Sequence, residues 1–359
     1  MKELFDQTKI GDMELQNRFI RSATFEGLAD ARGHMTDELF GIYENLAKGG
    51  VGTIIASAMQ VTDKEHGFPG MLGIYDDSFL EEYRKLTGLV HQYPVNIIAQ
   101  IGCAGSQIVR NPKDSRPMWG PSAVDDIAFQ NSTQEMTQAD IRFIQSALAD
   151  AAFRAKSAGF DGVQIHVAHG YLLNKFLSPY FNRRTDEYGG SIENRGRMIV
   201  ESYQAVREKV GAGYPIFVKI SCDDFMEQGM TFADCQYVCQ RLADLGIQAI
   251  EVSGGNFASR PNEGFLRVIK EDHESYFREQ AAELARHIPV PVILVGGNRD
   301  FAALTELINS TAIEYIALSR PLLCESDLIN RWQAGERKRA KCISCGKCLN
   351  HEKVKCIFN

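Results

Sequence analysis

The stretch "TQADIRFIQSALADAAFRAKSAGFDGVQIHV", Thr137 to Val167, contains one complete helix-and-strand unit. Thr137 with Asp140 three residues later is typical of a capped helix N-terminus, and apolar residues then recur at helical spacing until Gly159. The run that follows, "GVQIHV" at 162–167, is rich in β-branched residues. Such a continuous run suits a strand that is buried on both faces of a parallel sheet.

Runs of this kind occur eight times along the chain, separated by helical patterns. Strands that alternate with helices form parallel βαβ units, and eight of them predict a (β/α)8 TIM barrel of the α/β class. A doubly wound open sheet is the alternative, but its GxGxxG phosphate loop is missing after the first strand, where "RSATFEG" stands. The eight runs are "FIRSA" (19–23), "GTIIAS" (52–57), "NIIAQI" (96–101), "GVQIHV" (162–167), "IFVKIS" (216–221), "AIEVSG" (249–254), "VILVGG" (292–297) and "YIALSR" (315–320).

Segments outside the regular pattern complete the predicted organisation. Long segments follow the third and fourth strands, at 103–136 and 168–197, and long loops on that rim of a barrel usually bind ligands. The N-terminal residues predict a hairpin that turns at Gly11-Asp12 and covers the barrel floor. We therefore predict a barrel over residues 1–335 and a short Cys-rich extension over residues 336–359.

Composition narrows the classes of partner. The 359 residues carry a formal net charge of −7, which argues against a nucleic-acid surface, and the basic run "RKRAK" (337–341) is interpreted as a solvated helix face. No signal peptide is evident, and no apolar run approaches the ~20 residues of a membrane span. We therefore expect a cytoplasmic protein whose nine cysteines are thiols or metal ligands rather than disulfides. The oligomeric state stays open, and a homo-oligomer is compatible with the sequence.

Two histidines stand at the end of the fourth strand, where a TIM barrel places its active site. His166 and His169 have three competing uses: metal ligands, an acid and base pair, or neutral donors to an oxygen that develops negative charge. A metal site would need further ligands nearby. The third, fifth and sixth strand ends offer Gln100, Lys219 and Glu251, and a lysine beside a metal cation is unfavourable. The metal site is therefore the less favoured use.

Lys219 lies within an apolar run, where its charge needs a partner. That partner is either an acid inside the barrel or an anionic ring system, to whose polar edge Gln100 offers an amide. The seventh and eighth strands end in "VGGN" (295–298), which exposes backbone N–H groups, and in "SRP", which contains Arg320. Loops at these positions of TIM barrels often hold phosphate, which arginine can grip with two hydrogen bonds. These features fit a phosphorylated, planar, hydrogen-bonding cofactor.

The motifs that carry a family resemblance occur in one order along the chain. They are "LQNR" with "RSAT", "WGPSA", "AGFDGVQIHVAHGYLLNKFLSPYFNRRTDEYGGSIENR", "VGGN" and "SRPLL". Together they resemble the old yellow enzyme family of FMN-dependent NADH:flavin oxidoreductases. The resemblance covers essentially the whole chain, and the segment from Ala158 to Arg195 is its most specific part. It implies a TIM barrel that holds FMN across its mouth and takes hydride from NAD(P)H.

The resemblance also implies roles for single residues. His166 and His169 match the pair that hydrogen-bonds the oxygen of a substrate stacked on the flavin, and Tyr171 matches the tyrosine often proposed as proton donor. Lys219 occupies the place of a basic residue, usually arginine, near the flavin N1 and O2 atoms. The other positions implied to contact FMN are Ser22, Ala23 and Thr24 after the first strand, Ala58 after the second, Gln100 at the flavin edge, and Gly296, Gly297, Ser319 and Arg320 at the phosphate.

The reaction implied by the resemblance is hydride transfer from NAD(P)H through flavin N5 to the β carbon of an electron-poor alkene. The histidines would stabilise the enolate, and Tyr171 or water would supply the proton. The alternatives are a flavin-dependent amine dehydrogenase or demethylase of the same fold, a flavin protein without turnover, and a metal-dependent barrel aldolase or hydrolase. Two positions depart from the family: Phe25 replaces a common Thr or Cys, and Cys103, interpreted as a buried thiol, replaces a common histidine.

The C-terminal cysteines form a separate motif. "CISCGKC" contains Cys342, Cys345 and Cys348, and Cys356 follows. The first three have the spacing of bacterial ferredoxin ligands, but the fourth does not. Their position resembles the cluster segment of 2,4-dienoyl-CoA reductase. An iron–sulfur cluster, a structural zinc ion and free thiols all stay open for these four residues.

Overall fold

The chain begins with the predicted N-terminal hairpin, formed by β1 (Thr8–Ile10) and β2 (Met13–Leu15). Gly11 at its turn has φ +57°, a conformation that favours glycine. Apolar side chains of both strands pack against inward-facing residues of the barrel strands, so the hairpin closes the barrel floor as expected. The computed structural model describes residues 1–65, 67–109, 111, 113–269, 273–349 and 354–358.

Eight parallel strands form the barrel. They are β3 (Phe19–Arg21), β4 (Thr53–Ile55), β7 (Asn96–Gly102), β10 (Gly162–Val167), β11 (Ile216–Ser221), β12 (Ala249–Ser253), β13 (Val292–Leu294) and β14 (Tyr315–Leu318). Each strand pairs with the next, β10 pairs with β7, and β14 pairs with β3, so the ring closes. The predicted (β/α)8 barrel is therefore confirmed. Two short strands, β5 (Met59–Gln60) and β6 (Leu72–Gly73), extend the sheet beside β7.

The last two barrel strands are shorter than their apolar runs suggest. The seventh run was expected to extend over 292–297, but β13 ends at Leu294, because Gly296 (φ +125°) and Gly297 (φ +75°) turn the chain. The eighth was expected to reach Arg320, but β14 ends at Leu318 and Arg320 begins a short helix. Both glycines and the arginine therefore lie in the turns above the strands.

The helices lie between the strands. The long helix predicted before the fourth strand is confirmed: Thr137 and Asp140 form a capping box, and Gly159 follows the helix end with φ +87°. No described helix combines the length and hydropathy that crossing a bilayer requires. The helices are α1 (Asp37–Lys48), α2 (Leu80–Val90), α3 (Gln138–Ser157), α4 (Leu172–Leu177), α5 (Ile192–Arg195), α6 (Arg197–Val210), α7 (Phe232–Asp244), α8 (Arg278–His287), α9 (Phe301–Ser310), α10 (Arg320–Cys324) and α11 (Leu328–Gln333).

The two long segments after the third and fourth barrel strands hold each other in place. The first contains β8 (Trp119–Gly120) and β9 (Gln134–Glu135), and the second contains α4 and α5. A fully buried ion pair joins them, with Lys175 Nζ 2.6 Å from Asp126 Oδ2. Arg184 Nη1 also donates to the carbonyls of Pro121 and Met136, at 2.8 and 2.6 Å. These contacts fix the rim of the barrel around its mouth.

Candidate active site

A cavity of about 430 Å³ opens at the carboxyl ends of the barrel strands. This is the end at which TIM barrels carry their active sites. Every barrel residue that the sequence assigns to a flavin or its substrate lines this cavity. These residues are Ser22, Ala23, Thr24, Ala58, Gln100, His166, His169, Tyr171, Lys219, Gly296, Gly297, Ser319 and Arg320.

His166, near the end of β10, is held in one tautomer. The backbone N–H of Ala168 donates to His166 Nδ1 at 3.3 Å, so the ring hydrogen resides on Nε2. Burial, and after it the charge of the nearby Lys219, lowers the pKa of His166 to about 3. The imidazole is therefore neutral at physiological pH and offers one N–H.

His169 lies in the turn after β10, with φ +65°. Its backbone N–H donates to Ser221 Oγ at 3.0 Å, and its Nε2 lies 2.7 Å from Ser253 Oγ. Burial, and then the charge of Lys219, holds the pKa of His169 well below its usual value. The centroids of the His166 and His169 rings are 5.4 Å apart, so two neutral imidazoles stand side by side at the cavity wall.

Tyr171 immediately precedes α4 and lies beside the histidine pair. Its ring lies 5.0 Å from the His166 ring, at an interplanar angle of 83°. Burial raises the pKa of Tyr171, because the phenolate would lose its hydration. The phenol therefore keeps its proton at neutral pH.

Lys219 forms an ion pair inside the barrel and also faces the cavity, so its position agrees with both partners that the sequence left open, an acid and a ring system. Its Nζ lies 3.2 Å from Glu251 Oε1 and donates to Ser22 Oγ at 2.8 Å, yet Lys219 also lines the cavity. The chain of hydrogen bonds continues through Gln164, whose Nε2 donates to Glu251 Oε2 at 2.8 Å and whose Oε1 accepts from Gln100 at 2.7 Å. This buried network fixes the side chains of Lys219 and Gln100, which both face the cavity.

Gln164 and Glu251 have no assigned role in the sequence analysis. Both are polar residues inside apolar strand runs, and both are fully buried. A buried polar group needs a hydrogen-bond partner, so a polar residue inside an apolar strand run indicates a buried network of hydrogen bonds. It did not identify the partners, because they come from other strands.

Arg320 is the cation beside the glycine turn. Its Nη1 donates to the carbonyl of Arg267 at 3.1 Å, and its Nη2 lies 3.4 Å from the Tyr276 hydroxyl. None of the ion pairs formed within the described ranges involves Arg320. A half-buried guanidinium that faces a cavity without a carboxylate partner suits a phosphate group.

The two positions that depart from the family also line the cavity, and they are Phe25 and Cys103. Cys103 is 4% exposed, so the predicted burial of this thiol is confirmed. Burial raises its pKa, as does the neighbouring Glu65 carboxylate. Glu65 in turn accepts backbone N–H bonds from Ala104 and Gly105, at 3.0 and 3.2 Å.

The four cysteines of the extension converge on a second, small cavity. Cys342, Cys345, Cys348 and Cys356 all line it, together with Arg320. Within the part of the chain that the structure describes, no three His, Cys, Asp or Glu side chains are arranged to hold a metal ion.

Cys324 of α10 packs against two of these cysteines, a contact that the sequence spacing did not reveal. It is buried together with Cys342 and Cys356. Burial raises the pKa of the Cys324 thiol to about 12, and a hydrogen bond with Cys356 adds to this effect.

Hydrogen bonds to backbone carbonyls attach the extension to the barrel. Arg299 Nη1 donates to the carbonyl of Cys342 at 3.2 Å, and the Val354 N–H donates to the carbonyl of Glu26 at 3.1 Å. Ser344, Cys348 and Val354 line the large cavity as well. The extension therefore supplies part of the wall of the candidate active site.

Comparison with known proteins gives consistent matches. The model of the NADH:flavin oxidoreductase / NADH oxidase family matches residues 3–339. An NADH oxidase of Thermoanaerobacter brockii is 31% identical over 365 residues, which is 99% of this chain but 56% of that protein. An NADPH dehydrogenase of Geobacillus thermodenitrificans is 38% identical, over 70% of this chain and 73% of its own. The chain thus spans little more than half the length of the first of these relatives.

Solved structures agree on the fold. The old yellow enzyme homologue from Zymomonas mobilis superposes with a TM-score of 0.80 at 22% identity, and the match covers 93% of each chain. At this identity the likeness concerns the barrel architecture.

Proposed function

The chain belongs to the NADH:flavin oxidoreductase / NADH oxidase family, and we propose that it reduces the carbon–carbon double bond of α,β-unsaturated carbonyl compounds with FMN and NAD(P)H. The observation that carries the proposal is the pair of neutral imidazoles, His166 and His169, at the wall of a cavity that also presents Lys219 and Arg320. Neutral N–H donors suit an oxygen that gains negative charge during a reaction.

The residues present fit FMN. Arg320 and the turn at Gly296 and Gly297 would hold the phosphate, since the guanidinium lacks a carboxylate partner among the described residues. Gln100 and Lys219, fixed by their buried network, would meet the polar edge of the ring. Ser22, Ala23, Thr24, Ala58 and Ser319 would line the rest of the flavin site. When bound, FMN would supply the hydride transfer between NAD(P)H and the β carbon of the substrate.

The protein's own side chains would then manage the charge and the proton. His166 and His169 would hold the carbonyl oxygen of the substrate by N–H bonds and stabilise it as it becomes an enolate. Tyr171 keeps its proton at neutral pH, so the phenol can act as a general acid toward the α carbon, and solvent can restore the proton afterwards.

The amine dehydrogenase or demethylase alternative is less well supported. The described residues that line the cavity include Lys219 and Arg320 and no Asp or Glu. A cationic amine would find no carboxylate among these lining residues with which to form an ion pair. The charge of the cavity therefore favours a carbonyl substrate.

Anaerobic flavin reduction tests the proposal. We expect NADH or NADPH to bleach the absorbance of the bound flavin, and cyclohex-2-enone to restore it in a second mixing step. Trimethylamine serves as the comparison reductant. Bleaching by the amine, or failure of the enone to reoxidise the flavin, would contradict ene reduction.

We also propose that Cys342, Cys345, Cys348 and Cys356 bind an iron–sulfur cluster. Supporting this, all four line one small cavity, and three of them are buried. The C-x2-C-x2-C spacing of Cys342, Cys345 and Cys348 is that of bacterial ferredoxin ligands. Burial raises the pKa of Cys342 and Cys348, so cluster binding would displace their protons.

Metal analysis of anaerobically purified protein tests the cluster. Wild-type protein should contain iron and acid-labile sulfide, and Cys345→Ser should lose most of both. Cys239→Ser is the matched control, since Cys239 is buried on α7 away from the extension, and it should keep its iron. Stoichiometric zinc without iron, or equal iron in both variants, would disprove the assignment.

We further propose that residues 1–335 act as the flavin-binding barrel and residues 336–359 as an extension that completes its wall. Ser344 and Cys348 support this division of roles, because they reach the large cavity from the extension. A reducing compartment such as the cytoplasm suits the protein, because the nine cysteines, all within the described residues, form no disulfide.

A further inference from the structure

Three phenylalanine rings form a row in the cavity that starts at His169, and each ring contacts the next. Phe265 stacks on the His169 ring, with 4.2 Å between centroids and an interplanar angle of 21°. Phe257 meets Phe265 edge to face at 5.2 Å, and Phe129 meets Phe257 at 5.2 Å. We call Phe129, Phe257 and Phe265 the aromatic wall. All three line the cavity, and they come from the segments that follow β7 and β12.

A second row of rings approaches from the other side. Tyr171 lies 5.0 Å from the ring of His166, Phe68 lies 5.8 Å from Tyr171, and Phe25 lies 5.7 Å from Phe68. The two rows meet at the histidine pair. Each histidine assigned to the carbonyl oxygen is therefore in contact with one row of rings.

The aromatic wall is incompletely covered by the protein. Phe257 is 38% exposed, as is the neighbouring Leu266, which also lines the cavity. Covering apolar surface stabilises a complex in proportion to the area covered, and ring pairs at centroid distances of about 4.5–7 Å add a further attraction that depends on geometry. A flat ring placed against Phe257 would gain from both effects.

The charged groups of the cavity lie elsewhere. Among its described lining residues the charged side chains are Lys219 and Arg320, both placed at the flavin by the proposed function. Among the described residues that line the cavity, those of the aromatic wall thus offer rings rather than ionic partners. It is suited to an uncharged aryl group.

We propose that the aromatic wall binds an aryl group carried by the enone, and that aryl-substituted enones are the preferred substrate class of this site. The inference rests on the proposed function, because the histidine pair must hold the carbonyl oxygen while the aryl group extends toward Phe257. The wall is a specificity element that adds no step to the reaction.

Two ketones of equal carbon number isolate the contribution of the aryl ring. 4-Phenylbutan-2-one and 4-cyclohexylbutan-2-one have the same chain, and neither contains an alkene, so calorimetric titration of the oxidised holoenzyme measures binding alone. We expect the phenyl ketone to bind about tenfold more tightly, the ratio that one well-placed ring contact provides. In the double variant Phe129→Leu/Phe257→Leu the ratio should fall to near one.

Turnover gives a second measurement. The ratio of kcat/KM for 4-phenylbut-3-en-2-one to that for 4-cyclohexylbut-3-en-2-one should fall about tenfold from wild type to the double variant, and comparison of ratios cancels the intrinsic reactivity of each alkene. Phe153→Leu is the matched control: Phe153 is 48% exposed on α3, and this variant should keep the wild-type ratio. Flavin content confirms that each variant is folded.

The outcomes separate the two proposals. A wild-type protein that reduces cyclohex-2-enone but shows no phenyl preference, or a preference that survives in the double variant, overturns the inference and leaves ene reduction standing. If no enone is reduced, the proposed function fails, and the ketone titrations still report on the aromatic wall.

Discussion

Replacing His166 with alanine should lower kcat/KM for enone reduction about a hundredfold while the protein keeps its flavin. The N–H of Ala168 donates to Nδ1 of His166, so the ring hydrogen lies on Nε2, and the variant removes this Nε2–H donor. Loss of one oxyanion donor costs roughly 3 kcal/mol in the transition state. The flavin should stay bound, since the residues proposed to hold its phosphate and polar edge are unchanged. Steady-state kinetics with cyclohex-2-enone measure the loss of turnover, and flavin absorbance measures the flavin that stays bound. A phenol titration should show that phenol binding is lost.

The matched variants are His166→Asn, which restores an N–H donor, and His91→Ala. His91 follows α2 and does not line the cavity; its Nε2 lies 2.9 Å from Asp161 Oδ2. Its replacement should therefore leave kcat/KM unchanged. Unaltered phenol binding and turnover in His166→Ala would exclude the donor role.

The pH profile carries independent information. Because the pKa of His166 is lowered to about 3, the ring stays neutral as pH falls from 8 to 5, and its donor function should persist throughout. An acid limb near pH 6.5 that disappears in His166→Asn would show instead that the ring is protonated during turnover.

Much of the architecture was predictable because its signals are local. The capping box at Thr137 and the positive φ at Gly159 depend on residues a few positions apart, and both ends of α3 follow from them. Continuous apolar runs likewise located all eight barrel strands. The ends of β13 and β14 were misjudged, because Gly296 turns the chain and Arg320 begins a helix, although both residues directly follow continuous strand-like runs.

The residues that escaped prediction depend on long-range contacts. Glu251 meets Lys219 and Ser22 only when the barrel closes, and Cys324 meets Cys356 only when the extension folds back. The aromatic wall joins rings from two distant segments, Phe129 and Phe257. No spacing rule connects such positions, so their association could be recognised only in three dimensions.

Lys219→Met should destabilise the protein more than any other single change in the site. Glu251 is 0% exposed, and without the ammonium group its carboxylate would remain as a buried, uncompensated charge. Breaking a buried ion pair in this way typically costs about 3–5 kcal/mol in the free energy of unfolding. Denaturant unfolding of the protein before and after flavin removal measures the loss.

The double variant Lys219→Met/Glu251→Gln separates the structural role of Lys219 from its role toward the flavin. Removal of both charges should recover most of the stability, because the amide oxygen can still accept from Gln164 while the amide NH2 donates to Ser22 Oγ, whose acceptor position the lysine has vacated. The rate of flavin reduction by NADPH should nevertheless stay at least about tenfold below wild type, since the cation that favours negative charge on the reduced flavin is still missing.

Lys219→Arg is the conservative control, because it keeps a cation at the same position, and flavin reduction should be close to the wild-type rate. If the double variant instead regains the full rate together with its stability, Lys219 serves only to neutralise Glu251. The position would then be a structural ion pair beside the flavin, and the charge that stabilises the reduced flavin would have to come from another group.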